Sequence, residues 1–148
     1  MAIREIWIFS MLMVGSISDI KTKRLSSVYM SIFALGSVII SIYFMQISGG
    51  KTDWFERGMA LMPGLAVILI SVLGKGAIGF ADGIVICVIG VLYSLSECAA
   101  ISMYGILLAA LFSVPLIALR KADRHTALPF IPFLGAGYII FIIMRFFA

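Results

Sequence analysis

Apolar residues in this chain fall into six runs, and the charged residues between them are too few to cover a water-facing surface. The runs are about Ile6–Ile17, Leu25–Ile47, Met59–Leu73, Ile84–Leu95, Ala99–Leu119 and Ala127–Phe147. Charged residues make up 12% of the 148, whereas a soluble domain carries roughly 25%. Such a chain has to sit in a bilayer, where no water is available to the backbone and helices satisfy each N–H and C=O within one segment. The expected fold is an all-α polytopic membrane protein, one domain over residues 1–148, with six transmembrane helices of which several are short. No polar stretch is long enough to form a water-soluble domain beside it.

A helix needs about 20 residues to cross the hydrocarbon core. The second, fifth and sixth runs meet that length, and the first, third and fourth do not. Asp19 and Asp82 lie at ends of the short runs. Buried charge and non-helical backbone are tolerated at membrane depth only where protein or trapped water surrounds them, so a recessed aqueous site between these helix ends is expected. An ionisable residue in such a place is costly and is by default a functional residue with a partner to be named. Each aspartate is the natural partner of the other, and two carboxylates sharing one proton can activate water against a peptide bond.

The formal charge of +4 does not indicate nucleic acid, because the basic residues form short clusters between apolar runs and no stripe. That pattern sets membrane orientation. Lys21, Lys23, Arg24, Lys75, Arg120, Lys121 and Arg124 fall on one side; Arg4, Lys51, Arg57 and Arg145 fall on the other, interspersed with Glu5, Asp53 and Glu56. The richer side is expected to be cytoplasmic, with both termini outside and both aspartates toward the cytoplasm. Cys87 and Cys98 have neither metal-ligand nor disulfide-framework spacing, and His125 has no second His or Cys nearby, so neither a metal nor a cofactor is expected. Gly36, Gly64 and Gly105 read as helix-packing contacts. One competing reading of the N-terminus is a cleaved signal peptide built from Arg4, Ile6–Val14 and the small residues of Gly15–Ser18. It would leave Asp19 at a free terminus on the wrong side.

Three stretches then stand out together: Ser16-Ile17-Ser18-Asp19 with basic residues after it, Gly79-Phe80-Ala81-Asp82-Gly83, and Pro129-Phe130-Ile131-Pro132-Phe133. Their order and spacing resemble the type IV prepilin peptidases, in particular the short members serving Flp/Tad-type pili. The resemblance spans nearly the whole chain. It implies a catalytic pair, Asp19 and Asp82, with Gly79, Phe80, Ala81 and Gly83 as a loop against the substrate backbone. It also implies a partner, a membrane substrate with a short basic leader ending in Gly and followed by a hydrophobic helix, and a place in the bacterial plasma membrane. Methylation of the product is not implied, since the paired-cysteine domain of the long members is missing from this sequence. Three places depart from the family pattern: Ala81 stands for a Gly, Ile84 for a Lys, and Leu25-Ser26-Ser27 for the Ile-Pro-Asn that follows the first Asp.

Other readings stay open at this level. Asp19 and Lys23 are at helical i,i+4 spacing and could form a plain surface ion pair. The departures at Ala81 and Ile84 leave room for an inactive relative acting in secretion-system assembly. A small proton-coupled transporter would also use two carboxylates. Against it, the halves carry no inverted repeat, and the aspartates sit toward one side instead of the midplane.

Overall fold

The computed structural model describes residues 2–22, 26–47, 54–74, 79–118 and 129–147. They form seven helices: α1 Ala2–Thr22, α2 Ser27–Ile47, α3 Trp54–Met59, α4 Met62–Leu73, α5 Phe80–Leu92, α6 Leu95–Ala118 and α7 Ile131–Phe147. Lys23, Arg24, Lys51, Asp53, Lys75, Arg120, Lys121 and Arg124, which carry much of the charge-based orientation argument, lie outside the described residues, as does His125.

The chain is a multi-pass helical membrane protein. Ser27–Ile47, Phe55–Leu73 and Leu95–Pro115 are long and apolar enough to cross a membrane, whereas Phe80–Leu92 and Ile131–Phe147 are apolar but shorter. This revises three lengths expected from the sequence, the first being that of the opening run, which lies within the 21-residue α1. The third apolar run is extended backward by α3, through Glu56 and Arg57, and becomes long enough to span. The sixth begins as a helix only at Ile131, after Pro129, and is 17 residues long. The joint between α3 and α4 lies at Ala60–Leu61, where Leu61 N–H turns back to Gly58 O at 3.2 Å. Pro63 causes it, since proline has no N–H to give and its ring collides with the carbonyl four residues earlier.

α5 is the most enclosed helix, with Gly83, Val85, Ile86, Val88, Ile89, Gly90 and Leu92 all buried. It packs on α4 and α2, while α7 packs on α6 and α1. Lipid tails are as apolar as leucine, so these contacts depend on close packing and hydrogen bonds and not on escape from water. Glycine supplies the closeness. A side chain at Gly64 would run into the backbone of Cys87 and Gly83 on α5, and one at Gly137 would meet Gly105 N of α6 at 2.6 Å. Gly36 is covered by the Trp7 indole of α1, whose Nε1 donates to Ser37 Oγ at 3.0 Å. Gly36, Gly64 and Gly105 are thus packing contacts, as the sequence indicated. Hydroxyls inside the helices are satisfied locally: Ser16 donates to Leu12 O at 2.6 Å and Ser102 to Cys98 O at 2.8 Å. Cys87 and Cys98 are free thiols within helix contacts.

Arginines close the C-terminal end of α5. Its last carbonyls have no partner further along the helix. Arg57 Nη1 donates to Val91 O at 3.1 Å and also reaches Ser41 Oγ on α2. Arg4 Nη1 donates to Leu92 O at 3.2 Å while its guanidinium lies 4.2 Å over the Tyr93 ring. Cations suit a helix C-terminus, where the peptide dipoles leave partial negative charge. Beside them Tyr93 and Tyr138 join hydroxyls at 2.9 Å, and Tyr138 donates to Glu5 O at 3.3 Å. Arg145 of α7 lies 2.9 Å from Glu97 of α6, an ion pair whose angles are not those of a hydrogen bond.

Candidate active site

At the opposite end of the bundle lie the C-terminal turns of α1 and the N-termini of α5 and α7. Asp19 is held there by α7. The backbone N–H of Ile131, first residue of that helix, donates to Asp19 Oδ2 at 3.1 Å. The local text explains the available donor. A helix N-terminus leaves its first N–H groups without intrahelical partners; Pro132 has none to offer, and Ile131 turns its own toward the carboxylate. Leu134 N–H bonds Phe130 O at 3.0 Å, so the helix is already formed one turn on. Asp19 therefore caps α7 from another helix, a role normally taken by a side chain just ahead of the helix in sequence.

The approach of α7 to α1 depends on small residues. Gly15 lies one turn before Asp19, and a Cβ there would come within 3.3 Å of the Ile131 side chain and 2.9 Å of the Tyr29 hydroxyl. Tyr29, from α2, donates that hydroxyl to Met11 O. Ser16 faces Gly135 of α7.

Asp82 sits inside α5, in its first turn. The sequence predicts a loop over Gly79–Gly83; instead Gly79 is the extended N-cap and residues 80–83 are already helical. Asp82 N–H bonds Gly79 O at 3.0 Å, and the carboxylate folds back over the Gly79 Cα. A Cβ on residue 79 would stand 2.6 Å from Asp82 Oδ2. An acidic side chain in the first turn also meets the positive end of the helix dipole. Ala81 needs no glycine-like conformation here, since a helical position suits alanine best of all residues. Phe80 and Gly79 are exposed at the edge of the site, Ala81 is half-buried, and Gly83 is buried against Ile68 and Gly64 of α4.

The two aspartates come from helices running in opposite directions, with Arg4 near Leu92 at one end and Asp19 toward Asp82 at the other. Asp19 and Asp82 are both half-buried. Among the described residues no three His, Cys, Asp or Glu side chains gather as a metal site requires. Chemically the arrangement offers two carboxylates, a glycine edge and the helix N-termini behind them.

Sequence reasoning did not find the Ile131 N–H or the arginine caps of α5. Pro132 near the start of the last helix was a visible signal for the first. Arg4 and Arg57 gave none beyond lying next to apolar runs.

A family model, that of the type IV leader peptidase family, matches residues 6–114. That range contains both aspartates and ends before α7. No curated relative and no solved structure matches the chain.

Proposed function

The chain belongs to the type IV leader peptidase family, and from that premise we propose that it is a membrane aspartic endopeptidase using Asp19 and Asp82 as its catalytic pair. One observation carries the reading: two acidic side chains 63 positions apart, in a chain poor in acid, stand on antiparallel helices, Asp19 in the last turns of α1 and Asp82 in the first turn of α5, at the end of the bundle away from the Arg4–Leu92 contact. In the proposed reaction the pair holds a single proton. The ionised partner takes a proton from water as the water attacks the scissile carbonyl, and the protonated partner stabilises the oxyanion before a proton passes to the leaving amine. Gly79, Phe80 and Ala81 offer an open edge to an extended substrate backbone, and Gly83 lets α4 close up behind it. The substrate under this reading is a prepilin-like membrane protein with a short basic leader and a following apolar helix. The site faces the cytoplasm in a six-span arrangement with both termini outside.

Ile84, where the family pattern has Lys, favours one second reading, a weakly active or inactive relative acting in pilus or secretion-system assembly. One experiment separates the two. Wild type, Asp19→Asn and Asp82→Asn are co-expressed with a prepilin from the same genome, and leader removal is followed by gel shift and mass spectrometry. Cleavage by wild type that disappears in both variants supports the endopeptidase. Cleavage surviving in either variant removes the two-aspartate mechanism, and assembly that survives both favours the second reading.

A further inference from the structure

An apolar groove runs along the lipid-facing side of the α1–α7 pair and leads to Asp19. It consists of two hollows, of about 370 Å³ and about 250 Å³, that share Phe9 and Ile139. On α1 its wall is Glu5, Phe9, Leu12 and Ser16, at alternating spacings of four and three, and the next residue of that stripe is Asp19. On α7 the opposite wall rises at the same spacings from Pro132, the neighbour of Ile131, to Ile143. The eleven steps from Glu5 to Ser16 and from Pro132 to Ile143 correspond to about 16 Å of groove at 1.5 Å per residue. Glu5, at the far end, is its one charged lining residue.

The floor near Asp19 is Gly135. Glycines in the α4–α5 and α6–α7 contacts cannot accept a side chain without striking a neighbouring helix. At Gly135, by contrast, a Cβ would meet only Ser16 Oγ at 3.7 Å and Leu12 Cβ at 3.8 Å, both ordinary contacts. The bundle's own packing does not require the missing side chain, and its absence leaves backbone open to a body approaching from the lipid.

We propose that this groove is the docking face for the transmembrane helix of the substrate. The inference rests on the endopeptidase reading. If the scissile bond lies at Asp19 and Asp82, the apolar helix that follows it must enter the bilayer from that point. The α1–α7 groove starts one helical turn from Asp19, at Ser16 and Pro132, runs for about three helical turns with a mostly apolar lining, and has Gly135 in its floor. Helices associate in lipid through small residues that permit such approach.

The test uses enzyme in phosphatidylethanolamine–phosphatidylglycerol vesicles. The probe is a peptide with a basic leader ending in Gly joined to an apolar helix of about 20 residues, enough to span. Photoreactive benzoylphenylalanine replaces Phe9 or Ile139 in the groove, or Ile39 or Leu69 on exposed faces of α2 and α4, each in an Asp82→Asn background so that the peptide stays whole. Capture of the peptide from positions 9 and 139 and not from 39 or 69 is expected. In otherwise wild-type enzyme, Gly135→Leu should raise KM about tenfold or more with kcat little changed, the signature of lost ground-state binding, while Ile39→Trp should leave both unchanged. Should Gly135→Leu not fold, the capture pattern decides. The proposal is overturned if wild type cleaves the peptide while capture comes from 39 or 69, or if positions 9 and 139 trap only lipid acyl chains. If wild type does not cleave, the endopeptidase reading fails by itself. Capture at 9 and 139 would then still mark a helix-docking groove, and its absence would remove both.

Discussion

Asp19 of α1 accepts a hydrogen bond from the backbone of Ile131, 112 residues away, at 3.1 Å. One oxygen of a proposed catalytic carboxylate is thereby fixed by the start of the last helix, and the Pro129–Phe133 stretch becomes part of the site without contributing a reactive side chain. The bond also separates two roles that mutation can pull apart.

Asp19→Asn keeps an oxygen acceptor for Ile131 N–H, whereas Asp19→Ala removes it. Loss of an N-cap acceptor costs about 1 kcal/mol. Asn at 19 should therefore melt like wild type in detergent and Ala at 19 measurably lower, while neither cleaves a prepilin. Residual cleavage by the Asn variant would count against Asp19 as a catalytic group.

Gly79→Ala would place a methyl group 2.6 Å from Asp82 Oδ2. The carboxylate is the mobile end of a side chain, so it should turn aside and the helix should stay intact. Misplacing a catalytic group by about 1 Å can cost roughly 100-fold in rate. We expect kcat to fall by roughly 10- to 100-fold with melting temperature nearly unchanged; unchanged kcat would mean that the orientation of Asp82 over Gly79 does not matter.

Arg57→Met keeps much of the side chain's bulk but leaves Val91 O and Ser41 Oγ without their donor. An unsatisfied buried acceptor costs about 1–3 kcal/mol. Thermal melting in detergent should drop accordingly, and the activity of the fraction that remains folded should fall far less than in the aspartate variants.

Gly64→Val should be among the most damaging single changes, since its side chain meets α5 backbone at Cys87 and Gly83. Overpacking of this kind costs about 1–3 kcal/mol or more. Gly58→Ala, where a Cβ meets nothing within 4 Å, should be neutral in the same expression and melting assay.

A pair that works with one shared proton gives a bell-shaped dependence of kcat/KM on pH, whose two limbs belong to the pair and not to either residue. Peptide cleavage in detergent from acid to alkaline pH should show both limbs. A single rising or falling limb would point to a different division of labour.

The two aspartates were legible in the sequence because acid is so costly beside apolar runs that only a few positions could matter. The helical start of α5 was not. Gly79-Phe80-Ala81-Asp82-Gly83 reads locally as a break, since glycine is among the poorest helix formers, but at Gly83 and Gly64 the absence of side chains lets α4 and α5 pack close enough to hold the helix together. Tertiary contact outweighed propensity there. The third run reads as short for a related reason: Glu56 and Arg57 look like loop residues, and nothing near Arg57 in sequence reveals that it folds inward to Val91. Likewise the bond from Ile131 to Asp19 joins residues too far apart for any local pattern to connect them.

The 13 residues of α5 rise about 20 Å at 1.5 Å per residue, against about 30 Å of hydrocarbon. Membrane helices ordinarily adjust to bilayer thickness by tilting or by sliding their ends toward the headgroups. α5 has neither freedom, because guanidinium groups from two other helices hold its far carbonyls and α4 grips its glycines. The depth of Asp82 is consequently set by the protein and not by the lipid, and the same site should stand at the same distance from Arg4 and Arg57 in thin and thick membranes alike.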